Sequence, residues 1–192
     1  MNCYKNLIKK SVDFSAYIVY HVYIKQRKET DPMKNIIHHN LVNRYNRGTA
    51  THNYVFGFVR NGMVYAVQVN NAADMLMAIT YPEQRSAGGW TLKYRPNKAQ
   101  QELILANATR VEVLGSVEWF EAEKVNHHNN RGDCFEDIAA IRWNGKQPAS
   151  RSAKFTDCGD FNANGVEFQC KFGCSKGAAT FTNEATLNNL GL

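Results

Sequence analysis

The segment Val166–Phe172 alternates apolar and polar residues, which is the pattern of a β-strand whose two faces meet different surroundings. Its polar face carries a carboxylate, an amide and an ammonium in a row, from Glu167, Gln169 and Lys171. Asp160 lies upstream, before an Asn-Gly pair that is typical of a tight turn. If the chain reverses there, the Asp160 carboxylate comes beside Glu167 or Gln169. The pattern therefore predicts a cluster of polar and charged side chains on one face of this strand.

The elements around this strand follow from apolar spacing and from capping residues. Apolar residues at i, i+3 and i+4 predict a helix over Gly132–Trp143, and this helix carries Glu136. The polar stretch Asn126–Arg131 precedes it and marks a predicted boundary between two parts of the chain. A last helix is expected over Glu184–Leu190.

Asp160, the Gln169-Cys170-Lys171 triplet and the upstream helix with Glu136 together resemble the PD-(D/E)xK nuclease superfamily, over about residues 127–192. Members share a restriction-endonuclease-like core of a helix, a small mixed sheet, a helix and a last strand. The resemblance implies that Asp160 and Gln169 bind Mg²⁺ or Mn²⁺ and that Glu136 completes the metal site. It further implies that Lys171 orients or activates the attacking water, or steadies the phosphate. Hard oxygen ligands of this kind suit Mg²⁺, which keeps several waters.

The motif departs from the family's pattern at two points. Gln169 stands where the family usually has a glutamate, and Gly159 stands where it has a proline before the aspartate. A second register is also open, in which Asp160 is followed by Glu167 as a metal ligand and Gln169 takes the place of the lysine. Because all these side chains share one face of the strand, the sequence does not separate the two registers. We prefer the register of Gln169 with Lys171, in which the lysine has core residues on both sides.

The net charge of the chain is +6, and the basic surplus lies in its N-terminal half. A basic surface favours an acidic partner such as DNA. Aromatic residues on the predicted strands of this half interleave with the basic ones, and such surfaces can stack bases and contact phosphate. The phenylalanines among them are expected to form core. The candidate phosphate contacts are Arg44, Arg47, Arg60, Lys93, Arg95 and Lys98.

Residues 33–124 are predicted to form a module of a β-hairpin and helices, after an N-terminal extension over residues 1–32. The clearest signal is Asn61-Gly62 between two β-rich runs, because this pair supplies the positive φ angles of a hairpin turn. The other predicted elements are a helix from Asn71 to Ile79, a strand over Trp90–Arg95, a helix from Asn97 to Asn107, a strand over Val111–Leu114 and a helix from Ser116 to Lys124.

Other arrangements of reactive residues are less specific. Five cysteines without a secretory signal predict reduced thiols in a cytoplasmic protein. A zinc site made by Cys158, Cys170 and Cys174, with His127 or His128, lacks the ligand spacing of a zinc finger. No apolar run reaches the roughly 18 residues that span a membrane, so a membrane partner is not expected.

The sequence therefore predicts an α+β protein, in which a β-hairpin and helix module precedes a small restriction-endonuclease-like core over residues 125–192. The leading hypothesis is a Mg²⁺-dependent DNA endonuclease. The alternative is a nuclease-like module without catalysis that binds nucleic acid or a protein, for example as a phage or mobile-element inhibitor of a nucleic-acid-handling enzyme. Because the C-terminal core is small, a homodimer is a further expectation.

Overall fold

The computed structural model describes residues 31–49, 51–126, 130–148 and 159–174, together with the backbone of residues 179 and 180. Its elements in chain order are α1 Pro32–Gly48, β1 Tyr54–Arg60, β2 Met63–Val69, α2 Leu76–Ile79, β3 Thr80–Gln84, β4 Trp90–Tyr94, α3 Lys98–Ala106, β5 Arg110–Ser116, α4 Val117–Asn126, α5 Arg131–Arg142, β6 Phe161–Ala163, β7 Val166–Gly173 and β8 Ala179–Thr180. These elements make an α+β protein, as the sequence predicts. None of the helices in the described ranges is long and apolar enough to cross a membrane.

Five strands form a mixed sheet in the order β5-β2-β1-β7-β6. Strands β1 and β7 are parallel, and the other neighbours are antiparallel. Because β1 comes from the N-terminal half and β7 from the C-terminal part, residues 33–124 and 125–192 share one sheet, although the sequence predicts them as two parts. The predicted boundary falls inside α4, which continues to Asn126. A second sheet has the order β3-β4-β8.

Both faces of β1 are covered, which explains why its sequence is an almost unbroken apolar run. Tyr54, Phe56 and Phe58 pack into a hydrophobic core with α1, α2, α3 and the smaller sheet. Val55 and Gly57 lie on the opposite face, against the core that α4 and α5 build. The two sides of the large sheet are called the α1 face and the α5 face below.

The local sequence signals are confirmed in several places. Strands β1 and β2 form the predicted hairpin, and Asn61 and Gly62 turn the chain with φ angles of 50° and 73°. The Asn97 side chain caps α3 by accepting a hydrogen bond from the Gln100 N–H at 2.9 Å. Strand β7 matches the predicted strand and pairs with β6 through a turn that contains Asn164 at a φ of 54°. Short-range signals thus fix the hairpin that carries the candidate site residues.

Other elements differ from the prediction. Helix α1 has no predicted counterpart. The helix predicted from Asn71 to Ile79 is shorter, and only α2 is helical, because Asn71 has a φ of 54° instead of the extended conformation of an N-cap. Pro82 lies past the end of α2 and within β3, which is an edge strand, where the missing proline N–H is tolerated. The N-terminal extension up to residue 30 and the predicted last helix lie outside the described residues.

Glu121 joins α4 to the start of α5. Its carboxylate oxygens lie 2.6 Å from the Arg131 Nε and 2.8 Å from the Lys124 Nζ. Hydrogen bonds from Arg131 and Lys124 lower the pKa of Glu121 from 4.5 to about 2. A lowered carboxyl pKa adds stability that is present above pH 4.5 and is lost as the pH falls from 4.5 toward 2.

We expect Glu121→Gln to lower the free energy of unfolding by about 1 kcal/mol at pH 7, because a third of the side chain is exposed and solvent screens the pairs. The difference from the wild type should shrink as the pH falls through 4.5, as urea denaturation at pH 7, 4.5 and 3 would show. Asp74→Asn, which removes an exposed carboxylate, is the control and should have little effect at any of these pH values. If the variant and the wild type differ in stability as much at pH 3 as at pH 7, the ion pairs of Glu121 are not the cause of the difference.

Candidate functional site

The β6–β7 hairpin brings Asp160 level with Gln169. Phe161 pairs with Phe168 across the hairpin, and the N–H of the preceding residue, Asp160, donates to the Phe168 carbonyl at 2.7 Å. Oδ2 of Asp160 accepts a hydrogen bond from the Cys170 N–H at 2.7 Å, and the residue is only 8% exposed. One hydrogen bond therefore holds the backbone of Asp160 on β7, and the other holds its carboxylate.

Gly159 makes this close approach possible. A Cβ at this position would lie 2.5 Å from the carbonyl oxygen of Phe168 and 2.9 Å from its nitrogen. Any other residue, including the proline of the nuclease pattern, would push β6 away from β7. The departure from that pattern at Gly159 thus has a steric reason in this hairpin.

Lys171 lies two residues beyond Gln169 on β7, so both side chains are on the α1 face. The Lys171 Nζ is 3.5 Å from the Gln169 Oε1. Burial by itself lowers the pKa of Lys171, but electrostatic interaction with the acidic groups of Tyr45, Asp160 and Glu136 outweighs burial and raises this pKa above its ordinary value. The side chain is therefore a positively charged ammonium at neutral pH.

The other two predicted acidic residues, Glu136 and Glu167, lie in different parts of the fold relative to Asp160. Glu136 is half-buried on α5, whose apolar side packs on the α5 face of the sheet, and its charge still reaches Lys171. Glu167 pairs with Asn162 in the hairpin, two residues beyond the position of Asp160. The hairpin thus sets Gln169, and not Glu167, level with the aspartate.

Among the described residues, no group of three His, Cys, Asp or Glu side chains could hold a metal ion. The hairpin does place a carboxylate from Asp160 beside an amide oxygen from Gln169, whereas the predicted third ligand, Glu136, lies on α5 on the other side of the sheet. Mg²⁺ is usually held by one or two carboxylates and several waters. By the chemistry of these donors, the residues present fit Mg²⁺.

Tyr45 on α1 is a site residue that the sequence patterns did not indicate. It contributes to the raised pKa of Lys171 through electrostatic interaction. Burial, with the electrostatic influence of Tyr45 second, raises the pKa of Tyr54 well above its ordinary value. The signal that could have found α1 is the pair of Asp31 and Pro32, an N-cap followed by proline at the first helical position.

The predicted phosphate contacts are spread over several elements. Arg60 is paired with Glu102 at 2.7 Å, and Lys93 lies 3.5 Å from Glu83. Arg44 is half-buried on α1. The exposed members of the set are Arg47, Arg95 and Lys98.

The aromatic residues expected beside these cations are mostly core. Tyr54, Phe56, Phe58 and Tyr94 are 0% exposed. The burial of the phenylalanines is as predicted, and the buried tyrosines Tyr54 and Tyr94 cannot stack bases, which leaves the half-buried Tyr65 and Trp90 as candidates. Trp90, at the start of β4, is half-buried and lines a pocket.

The thiols that the structure describes are free. Cys170 is 3% exposed and packs in the core on the α5 face, away from the polar side chains of β7. Burial, with the charge of Asp137 second, raises the pKa of the Cys134 thiol to about 11. Cys158, His127 and His128, which the zinc hypothesis also needs, lie outside the described residues.

The comparisons with protein-family models, curated proteins and solved structures found no match to this chain. The function of this chain therefore has to be inferred from the arrangement of its own residues.

Proposed function

We propose that this protein is a Mg²⁺-dependent endonuclease that hydrolyses DNA phosphodiesters, with a PD-(D/E)xK-type site on a restriction-endonuclease-like core. The observation that carries the proposal is the β6–β7 hairpin, which sets Asp160 level with Gln169 and leaves the Lys171 ammonium 3.5 Å from the Gln169 amide oxygen. An anionic oxygen, a neutral oxygen and a cation on one face are suited to an attack on a charged phosphodiester.

Asp160 and Gln169, both on the α1 face, are the residues that would hold the metal, whereas Glu136 lies on α5, on the other side of the sheet. A bound Mg²⁺ would act as a Lewis acid, which makes an attacking water easier to deprotonate and offsets charge on the phosphoryl oxygens. The Cys170 N–H holds one oxygen of Asp160 in place at 2.7 Å. A carboxylate that is already fixed needs little reorganisation when a cation arrives, which favours both binding and catalysis.

The raised pKa of Lys171 excludes one chemical role for this residue, that of a general base. A general base must be able to accept a proton at the working pH, and a permanently protonated ammonium cannot do so. Lys171 therefore acts as a hydrogen-bond donor and a positive charge, which orients the attacking water or stabilises the negative phosphate in the transition state.

The exposed cations supply the sequence-independent part of DNA binding. Arg47, Arg95 and Lys98 are exposed, and exposed cations bind the phosphate backbone by releasing its counterions. Affinity for DNA should therefore fall steeply with salt.

The proposal is tested by incubating the full chain with supercoiled plasmid and with linear single- and double-stranded DNA, in Mg²⁺ or Mn²⁺. We expect Asp160→Asn and Lys171→Met each to lower the cleavage rate by about 100-fold or more, as is usual when an electrostatic group of an active site is removed. Matched controls are Asp74→Asn and Lys34→Met, which remove an exposed carboxylate and an exposed ammonium elsewhere. Both controls should cleave like the wild type.

Cleavage that survives both site substitutions, or cleavage that needs no divalent cation, would contradict the proposal. Thermal unfolding of each variant, followed by circular dichroism, shows whether a loss of cleavage is a loss of fold. Glu167→Gln distinguishes the two registers, because only the second register makes Glu167 a metal ligand.

A second candidate function is binding of nucleic acid without hydrolysis, and one observation favours it. Asp160 is only 8% exposed, so a phosphodiester reaches its oxygens only if the cover on the α1 face moves. In this case DNA is retained in gel-shift assays, no cleavage occurs with either metal, and neither site substitution alters the affinity.

A further inference from the structure

A pocket of about 470 Å³ lies between α1 and the turn that joins β3 to β4. Arg44 enters it from α1, and Arg85 and Trp90 enter it from the two ends of the turn. Leu41, which is mostly buried, lies in the apolar part of its wall. The volume is within the usual range of small-molecule sites.

The turn that carries two of these residues has a defined shape. The Arg85 N–H donates to the Gly89 carbonyl at 3.0 Å, and the Gly88 N–H donates to the Arg85 carbonyl at 3.0 Å. Gly88 and Gly89 have φ angles of 85° and 75°, which a residue with a side chain adopts only under strain. Backbone hydrogen bonds thus hold Arg85 and Trp90 at opposite ends of one closed turn.

The chemistry of the lining selects one class of ligand. Two guanidinium groups and an indole border the same pocket, the rest of the lining is mainly apolar, and no acidic side chain is among the described residues that line it. Guanidinium groups favour phosphate, and an indole favours a flat aromatic ring. A ligand that offers both a phosphate and an aromatic ring is a nucleotide.

We propose that this pocket binds one nucleotide, with the base against Trp90 and the phosphate at Arg44 and Arg85. The inference extends the proposed function, because the same nucleic acid would supply the nucleotide. Arg44 directly precedes Tyr45, which neighbours Lys171, so one helix borders both the pocket and the candidate catalytic group. The nucleotide can be free or part of a single strand, and duplex DNA, whose bases are stacked and paired, should bind at this pocket poorly.

The test is isothermal titration of the full chain in EDTA, which prevents metal-dependent cleavage. The probes are dAMP, a ten-nucleotide single strand of deoxyadenosine, the same strand in a blunt duplex, and inorganic phosphate. Arg44→Ala should raise the dissociation constant for the preferred probe about tenfold, since a charge-assisted hydrogen bond is lost. Arg142→Ala removes the same charge at the exposed end of α5, and Arg142 does not line the pocket, so this variant should change the dissociation constant less than about twofold.

Trp90→Leu tests the aromatic half of the assignment and should weaken dAMP or single-strand binding while the fold is kept, as circular dichroism would verify. Binding of dAMP that is sensitive to Arg44→Ala indicates a free nucleotide, and the same sensitivity with the single strand alone indicates a nucleotide within a chain. Either result supports the proposal. It is overturned if no probe binds, if Arg44→Ala and Arg142→Ala have equal effects, or if inorganic phosphate binds as tightly as dAMP. If Asp160→Asn binds nucleotide as the wild type does, nucleotide binding at the pocket does not depend on the proposed cleavage site.

Discussion

Replacing Gly57 with alanine should destabilise the protein by about 3 kcal/mol, which is large for the addition of one methyl group. Gly57 lies in the middle of β1, on the α5 face, beneath two aromatic rings. A Cβ at this position would come within 2.5 Å of the rings of both Phe135 and Phe172. These rings stack on each other with their centroids 5.2 Å apart, so neither can move without disturbing the other. Urea denaturation of Gly57→Ala measures the loss directly.

Two further variants separate steric overlap from the ordinary effects of a glycine. Gly62→Ala makes the same change in the adjacent turn, where nothing lies within 4 Å of the new Cβ, and its strain at a φ of 73° should cost about 1 kcal/mol. Phe135→Leu gives the new methyl group room, so adding Gly57→Ala to it should cost clearly less than in the wild type. Equal costs in the two backgrounds would show that the rings are not the cause.

Elements whose signals lie within a few residues could be predicted from the sequence. The Asn61-Gly62 turn, the Asn97 cap of α3 and the alternation in β7 each report a local physical preference, for a positive φ, for a satisfied N–H or for a two-faced strand. The asparagine at position 71 shows the limit of such signals. It has the residue type of an N-cap, but it adopts a positive φ and begins a turn.

Long-range pairing could not be predicted in the same way. Strand β7 pairs with β1 in parallel, with Tyr54 aligned to Gln169, although the two residues are far apart in the chain. No turn chemistry specifies such a pair, and only burial on both faces distinguishes a central strand from an edge strand. The polar residues of β7 therefore look like a solvated edge in the sequence, whereas in the structure they face α1.

The same limit applies to the candidate site. Contacts within one hairpin could be predicted from the sequence, and contacts between distant elements could not. Asp160 and Gln169 come together because one hairpin holds both, and a hairpin can be inferred from its turn. Tyr45 is brought to Lys171 by α1 packing on the sheet, which no spacing in the sequence indicates. The helical position of Glu136 was predicted correctly, but its distance from the hairpin depends on how α5 packs.

Replacing Lys171 with methionine should lower the free energy of unfolding by about 2–3 kcal/mol, because it removes a cation that interacts with a buried carboxylate. Asp160 is 8% exposed, and without the ammonium its charge loses this compensation, although the Cys170 N–H still donates to it. Asp160→Asn should also destabilise, since it leaves the ammonium with less compensating charge, although the asparagine oxygen can still accept the hydrogen bond from Cys170. Both losses are measured by urea denaturation at pH 7.

The double variant, Lys171→Met with Asp160→Asn, measures how strongly the two charges depend on each other. We expect its loss of stability to be smaller than the sum of the single losses by about 1–2 kcal/mol, and losses that add to within about 0.5 kcal/mol would show that the charges do not interact. Replacing buried charges together often costs a protein little, since the desolvation of both is relieved at once. A double variant that is nearly as stable as the wild type but cleaves no DNA would mean that these charges serve the reaction rather than the fold. A double variant that is as unstable as the worse single variant would make the cluster a structural one, and it would favour nucleic-acid binding without hydrolysis.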